Sequence, residues 1–176
     1  MIQYKTASSS EELHQILMLQ KTNLPSSLSS EEIDQEGFLT VHHEFDILKR
    51  MNDVCPHIIA VDKNVLAGYT LCMHTKFGED IEILKPLFIE IEKHSKPFKT
   101  YVVMGQVCVA KEYRKQGVFR NLYTKMKASI FPEFDAIVTE VDASNRRSLE
   151  AHYAIGFKTL LKHSANHRDW VLIYLM

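Results

Sequence analysis

An excess of charge of either sign is missing from this chain: Lys and Arg number 21, Asp and Glu 22, and the formal net charge is -1. No overall positive field exists to hold a polynucleotide or an anionic bilayer. Neither nucleic acid nor membrane is therefore an expected partner, and any anion site has to be built locally. Cysteine is scarce too. Cys55, Cys72 and Cys108 are odd in number, far apart and set mostly in apolar sequence, unlike a disulfide framework or a CxxC metal site, which fits a reducing cytoplasm. No apolar stretch approaches the roughly 20 residues of a membrane span, and the opening MIQYKTASSSEEL has no apolar signal core. Nine histidines are present, but none has an HExxH or CxxC companion, and no metal site is expected. Neither GxxxxGK[ST] nor GxGxxG occurs, which argues against an NTPase or a dinucleotide dehydrogenase. Repeats and low-complexity linkers are absent as well, so residues 1–176 read as one domain.

What remains is a well-patterned 45% hydrophobic chain. Ile2 to Ala7 reads as a strand, and Ser9 with Glu12 has the spacing of a capping box ahead of Leu13, Ile16 and Leu17. SSLSSEEIDQ is polar and predicts mobile or weakly helical structure. Gly37 to Val41 is apolar but too short for a helix, and Phe45, Leu48 and Met51 predict a short helix closed by Cys55-Pro56. HIIAVD and VLAGYTLCMH predict a hairpin across Lys63-Asn64. In the charged insertion Lys76 to Lys99, Ile83, Leu84, Leu87, Phe88 and Ile91 stand at helical intervals.

Tyr101 to Ala110 is the longest strand candidate, apolar on both faces. Val118, Leu122 and Met126 then mark a helix, Ala136 to Val141 a strand, about Asn145 to Ile155 a helix stopped by Gly156, and FKTLLKH with WVLIYLM a final antiparallel pair across Ser164-Ala165-Asn166. This order predicts an α/β (α+β) domain with a mixed, mostly antiparallel sheet of about six to seven strands and helices on both faces. The two middle strands should be parallel across a right-handed crossover. The WVLIYLM strand is a candidate for pairing across a two-fold axis, so monomer and homodimer both stay open.

The junction YRKQGVFRNLY carries the chemistry. A helix starting beside a strand end offers unpaired N–H groups and the positive end of its dipole to an anion. Gly117 lets the backbone come close, and Arg114, Lys115 and Arg120 add donors. The same residues also fit an ordinary strand-to-helix turn. The second segment, Asn145 to Phe157, decides between these readings.

Together the two segments resemble the GNAT superfamily of N-acyltransferases, whose members bind acetyl-coenzyme A at an Arg/Gln-x-x-Gly-x-Gly/Ala turn. Arg114 and Gly117 fit that turn. The family's next helix reads Asn-x-x-Ala/Ser-x-x-x-Tyr-x-x-x-Gly-Phe, matched here by Asn145, Ser148, Gly156 and Phe157. Two positions depart: Phe119 replaces the second small residue, so its side chain must point away from the pyrophosphate, and His152 takes the tyrosine place, with Tyr153 next. The resemblance implies that acetyl-coenzyme A is the co-substrate, with its pyrophosphate on the amides of Lys115, Gln116, Gly117, Val118, Phe119 and Arg120. It implies that Val107, Cys108 and Val109 pair with the pantetheine arm, and that Asn145, with Ser148 beside it, lies along that arm.

The reaction implied is acyl transfer to a primary amine of a small molecule or protein. His152 or, as its rival, Tyr153 would protonate the thiolate, and Glu140 is the leading candidate for the base. Gln106 stands where many members carry a glutamate, which keeps a non-catalytic acyl-coenzyme A-binding module open as the alternative. Cys108 reads as a packed small residue rather than an acyl carrier. The family builds its acceptor wall from the first helices and their connection, so Phe38, His42 and His43 are candidate substrate contacts.

Overall fold

Ser9 begins the first helix as its spacing to Glu12 predicts: the Ser9 hydroxyl accepts from the Glu12 amide at 3.2 Å, and the Glu12 carboxylate accepts from the Ser9 amide at 3.1 Å. Such a reciprocal cap contributes about 1 kcal/mol. The computed structural model describes residues 1–94, 97–131 and 133–176. Strands β1 (Gln3–Thr6), β2 (Ile58–Asp62), β3 (Val65–His74), β4 (Tyr101–Val109), β5 (Ala136–Asp142), β6 (Lys158–Ala165) and β7 (Arg168–Leu175) form one seven-stranded sheet in the order β1-β2-β3-β4-β5-β7-β6. Helices α1 (Ser10–Lys21), α2 (Ser30–Glu36), α3 (Phe45–Val54), α4 (Lys85–His94), α5 (Val118–Ile130) and α6 (Arg146–Tyr153) connect them.

Two apolar layers sandwich the sheet. Leu13, Ile16, Leu48, Met51, Leu87 and Ile91 cover one face with Tyr69, Leu71 and Val103 beneath them. Val118, Leu122, Tyr123 and Met126 of α5 cover the other, over Ala60, Cys72, Val102 and Ile137. β4 supplies side chains to both layers, as its unbroken apolar run predicts.

Two sequence expectations change. SSLSSEEIDQ carries a helix, α2, capped by a second box: the Ser29 hydroxyl accepts from the Glu32 amide and the Glu32 carboxylate from the Ser29 amide. The final turn shifts by one residue to Asn166-His167, both in the left-handed region at φ 53° and 60°. This is a two-residue hairpin connection like Lys63-Asn64, at φ 49° and 71°. β7 is also not a free edge: it lies between β5 and β6, so the expected two-fold pairing through WVLIYLM has no open hydrogen-bonding side. The Ile83 side chain and residues 95–96 of the 76–99 insertion lie outside the described residues.

The arrangement that matters most for function is an incomplete pairing. β4 and β5 run parallel and pair only at Tyr101–Val103 with Ala136–Val138. Immediately beyond, the β3–β4 register slips between Leu71 and Cys72, which face Gln106 and Met104, leaving Gly105 as an extra residue on β4. From there Met104–Val109 and Thr139–Asp142 diverge.

Candidate active site

The cleft opens where the two strands part. Its outer portion, about 330 Å3, runs from the end of β4 over the start of α5 to α6 and to the strap of residues 37–44 that follows α2. Every residue expected to contact the coenzyme lines this portion except Gln116, whose side-chain Nε2 donates to the Glu112 carbonyl at 2.7 Å. Gly117 caps α5 with φ 79°, a conformation L side chains rarely adopt. The first intrahelical bond is Asn121 N–H to Gly117 C=O, so the amides of Val118, Phe119 and Arg120, residues that line the cleft, have no helical acceptor. The Phe119 ring turns inward, packing edge-on against His152 and tilted against Tyr123, which keeps its bulk off the amides.

Arg114 does not act as a mobile cation. Its guanidinium donates to the Val109 carbonyl at 3.1 Å, the Glu36 carboxylate at 2.8 Å and the Asn23 side chain at 2.9 Å, tying the turn to the end of β4, to α2 and to the end of α1. Lys111 with Glu32 adds a second ion pair between turn and α2. Among the described residues Lys115, Arg120 and Arg147 line the cleft without a carboxylate partner. Arg147 was not singled out in the sequence, and neither were Asn23 and Glu36; the spacing of α6 alone does not reveal that its second residue overhangs the cleft.

Asn145 anchors the strap. Its side-chain oxygen accepts from the Ser148 amide at 3.1 Å, capping α6, and its nitrogen donates to the Phe38 carbonyl at 3.2 Å. A Cβ on Gly37 would lie 2.8 Å from that oxygen, so the strap passes Asn145 only as glycine. Gln106 adds a second anchor: it accepts from the Tyr69 hydroxyl at 2.6 Å and donates to the Val41 carbonyl at 2.7 Å. Phe38 lines the cleft, while His42 is exposed. His43 is buried, its backbone and ring held by Gln20. Only Phe38 of the three reaches the cleft; alternation along the extended strap sends His43 into the core instead.

The two candidate acids are placed differently again. His152 is 1% exposed. Its Nδ1 lies 2.7 Å from the Ser148 carbonyl, which can only accept, so Nδ1 carries the proton and Nε2 accepts from the Tyr123 hydroxyl at 2.7 Å. Burial lowers its pKa from 6.5 to about 4. Tyr153 is 43% exposed and bonds Thr159 at 2.8 Å on the far side, away from the cleft. Neither offers a free proton to the splay.

Glu140 is at the centre of it. It lines both the inner pocket shared with Phe38, Val107, Asn145 and Ser148 and the smaller apolar recess shared with Val41, Leu84, Leu87 and Trp170. Burial pushes its carboxyl up to about 8. His163 of β6 approaches it at 3.1 Å. Cys108 lines the outer portion of the cleft, but burial raises its thiol to about 12, where almost no thiolate nucleophile exists near neutrality. Among the described residues no His, Cys, Asp and Glu cluster could hold a metal ion, and no helix is long and apolar enough to cross a membrane.

The profile of the acetyltransferase (GNAT) family matches residues 11–157, most of the sequence. The chain belongs to that family. Its members transfer an acetyl group from acetyl-coenzyme A to an amine, and acetyl-coenzyme A is the co-substrate of this GNAT chain. Solved structures with the same fold include the NatC complex bound to Gag peptide and coenzyme A, at 18% identity and TM-score 0.67 over 99% of this chain and 97% of that one. Arabidopsis thaliana NAA60 with a bisubstrate analogue gives 15% and 0.68 over 99% and 97%. Salmonella typhimurium yncA with its cofactor acetyl-CoA gives 11% and 0.67 over 99% and 93%. At these identities the likeness is one of fold. No curated protein matches this GNAT chain in sequence.

Proposed function

We propose that this GNAT protein acetylates a primary amine of a peptide or small molecule by direct attack, with Glu140 as the base. One observation carries the reading: the Glu140 carboxyl stands where the coenzyme cleft meets the apolar recess, the only carboxyl among the described residues that lines both inner pockets. A coenzyme enters from the α5 side, with its diphosphate on the amides of Val118, Phe119 and Arg120 and on Lys115, Arg120 and Arg147, and its arm against Val107–Val109. The amine comes from the opposite face, past Phe38, Thr40 and Val41.

An alkyl ammonium has a pKa near 10.4 and has to lose a proton before it attacks. A carboxyl raised by burial accepts it far better than one at the ordinary glutamate value, and a base of matched strength accelerates by about 10²–10⁴. His152, in this reading, is a positioning residue: its ring packs edge-on against Phe119 and fixes the start of α5. The departing thiolate, a leaving group of pKa near 8.5, takes its proton from the reacting nitrogen instead of from a side chain.

The setting is cytoplasmic, supported by three buried, unpaired thiols. Monomer or homodimer, it has no call on nucleic acid or membrane, a reading supported by the even charge balance. The test measures free thiol released from acetyl-coenzyme A with a panel of alkylamines and free-amino-terminal peptides. Glu140→Gln is expected to lower turnover at least 100-fold with coenzyme affinity by calorimetry unchanged. Coenzyme binding without release on any amine would favour the non-catalytic module. Full turnover by Glu140→Gln would remove Glu140 from the mechanism.

A further inference from the structure

We propose that His163 is the proton exit of the acetyl-transfer site, passing to solvent the proton that Glu140 takes from the acceptor ammonium. This rests on Glu140 being the base. The balance of the reaction demands such an exit. As the N–C bond forms and the C–S bond breaks, an ammonium loses two protons: one ends on the sulfur and the other is released. A carboxyl enclosed between two strands has to be cleared of that proton in every cycle.

His163 is the group placed to clear it. Its Nε2 lies 3.1 Å from Glu140 Oε2, and both side chains are nearly enclosed, at 11% and 10% exposure. His163 sits on β6, the outermost strand, opposite Trp170 of β7, which lines the same pocket as Glu140. One end of the imidazole therefore meets the carboxyl, and the strand that carries it borders solvent. An imidazole accepts at one nitrogen and releases from the other, so it transmits a proton without moving.

The other charged groups around the pair are already matched. Glu90 of α4 acts on His163 through its charge and is itself held by Lys93 at 3.0 Å and His94 at 3.6 Å. Asp142, further along β5, is bonded by Arg168 at 2.8 Å and by Ser144. His152, on the other side of the pocket, has both ring nitrogens engaged. None of these competes for the Glu140 proton. Burial acts on the two in opposite senses, raising Glu140 to about 8 and holding His163 below its ordinary value, so each group is pushed toward its neutral form.

The test compares wild type, His163→Gln, His163→Ala and Glu140→Gln with acetyl-coenzyme A and n-butylamine, alongside ring-nitrogen NMR of His163 over pH. Glutamine can still donate to Glu140 but cannot carry a proton. His163→Gln is expected to lose about 10- to 100-fold in kcat with KM for the amine within about twofold. Added imidazole is expected to restore much of the loss in His163→Ala but not in His163→Gln, a response that a purely structural role would not give. In the NMR arm, which needs no turnover, Glu140→Gln shifts the His163 titration. The relay is overturned if His163→Gln keeps wild-type kcat and pH profile, if imidazole rescues nothing, or if the His163 titration ignores Glu140→Gln. Loss of activity in Glu140→Gln with an unaffected His163→Gln would sink the relay and leave the base intact, whereas an active Glu140→Gln would sink the base itself.

Discussion

The Tyr123 hydroxyl donates to His152 Nε2 across 2.7 Å, joining α5 to α6 behind the cleft. Phe119, Phe157 and Tyr123 surround the ring at centroid distances of 5.1 to 5.5 Å. The histidine at the family's tyrosine position thus serves as a neutral strut, and its burial has a pH signature.

His152 has a folded pKa lowered from 6.5 to about 4. Between those values the unfolded chain binds a proton that the folded chain refuses. The contribution to stability is thus complete above pH 6.5 and is lost as pH falls toward 4, by on the order of 3 kcal/mol. His43 and His57, lowered to about 4 and about 3 by burial, act in the same direction. Urea unfolding across this range is expected to give a positive slope of stability against pH that is smaller in His152→Gln. An unchanged slope would mean that the ring titrates in the folded protein. Tyr123→Phe leaves Nε2 without its donor and is expected to cost about 1–3 kcal/mol at pH 7.

Gly117→Ala tests the cradle. An added Cβ has room, its nearest neighbour being Asn121 Nδ2 at 3.9 Å, so the penalty is conformational. Holding alanine at φ 79° costs roughly 1–2 kcal/mol, and the turn relieves it by re-aiming the amides. Coenzyme A affinity by calorimetry is expected to fall about tenfold or more while the melting temperature moves only a few degrees. Unchanged affinity would show that those amides do not hold the diphosphate.

Arg114→Lys is expected to fail as a replacement. A lysine can reach one acceptor, whereas the guanidinium serves Val109, Glu36 and Asn23 together. Both Arg114→Lys and Glu36→Gln should weaken coenzyme binding through a loosened turn, and the double variant should lose less than the sum of the singles. Additive losses would mean that Arg114 meets the ligand directly.

Much of the fold was readable because the strongest signals are local. The Ser9 and Ser29 segments show the reason for success and for error alike. Both carry a hydroxyl three residues before a glutamate, but the first precedes an apolar stripe and the second does not. α2 is held by Lys111 and Arg114 from across the chain, which no local pattern records. The turn that caps α5 was legible from one glycine and its neighbouring cations. The roles of those cations were not, since Arg114 and Arg147 differ only in what lies opposite them. His152 matched by position, yet its surroundings come from α5 and the segment after α6, so its engagement with Tyr123 could not be read. Glu140 could be named as a carboxylate at a strand end, but its partner stands 23 residues away on the outermost strand.

The extra residue at Gly105 has a wider consequence. Beyond it the alternation of β4 is reversed, so Gln106 faces Tyr69 and Val41 while Val107 faces the α5 layer. Were that residue deleted, β4 would zip onto β5 for its whole length and the passage between the two sides of the protein would become a wall. In the reaction proposed here, the bulge is what turns a sheet into a doorway through which two reactants would meet from opposite rooms.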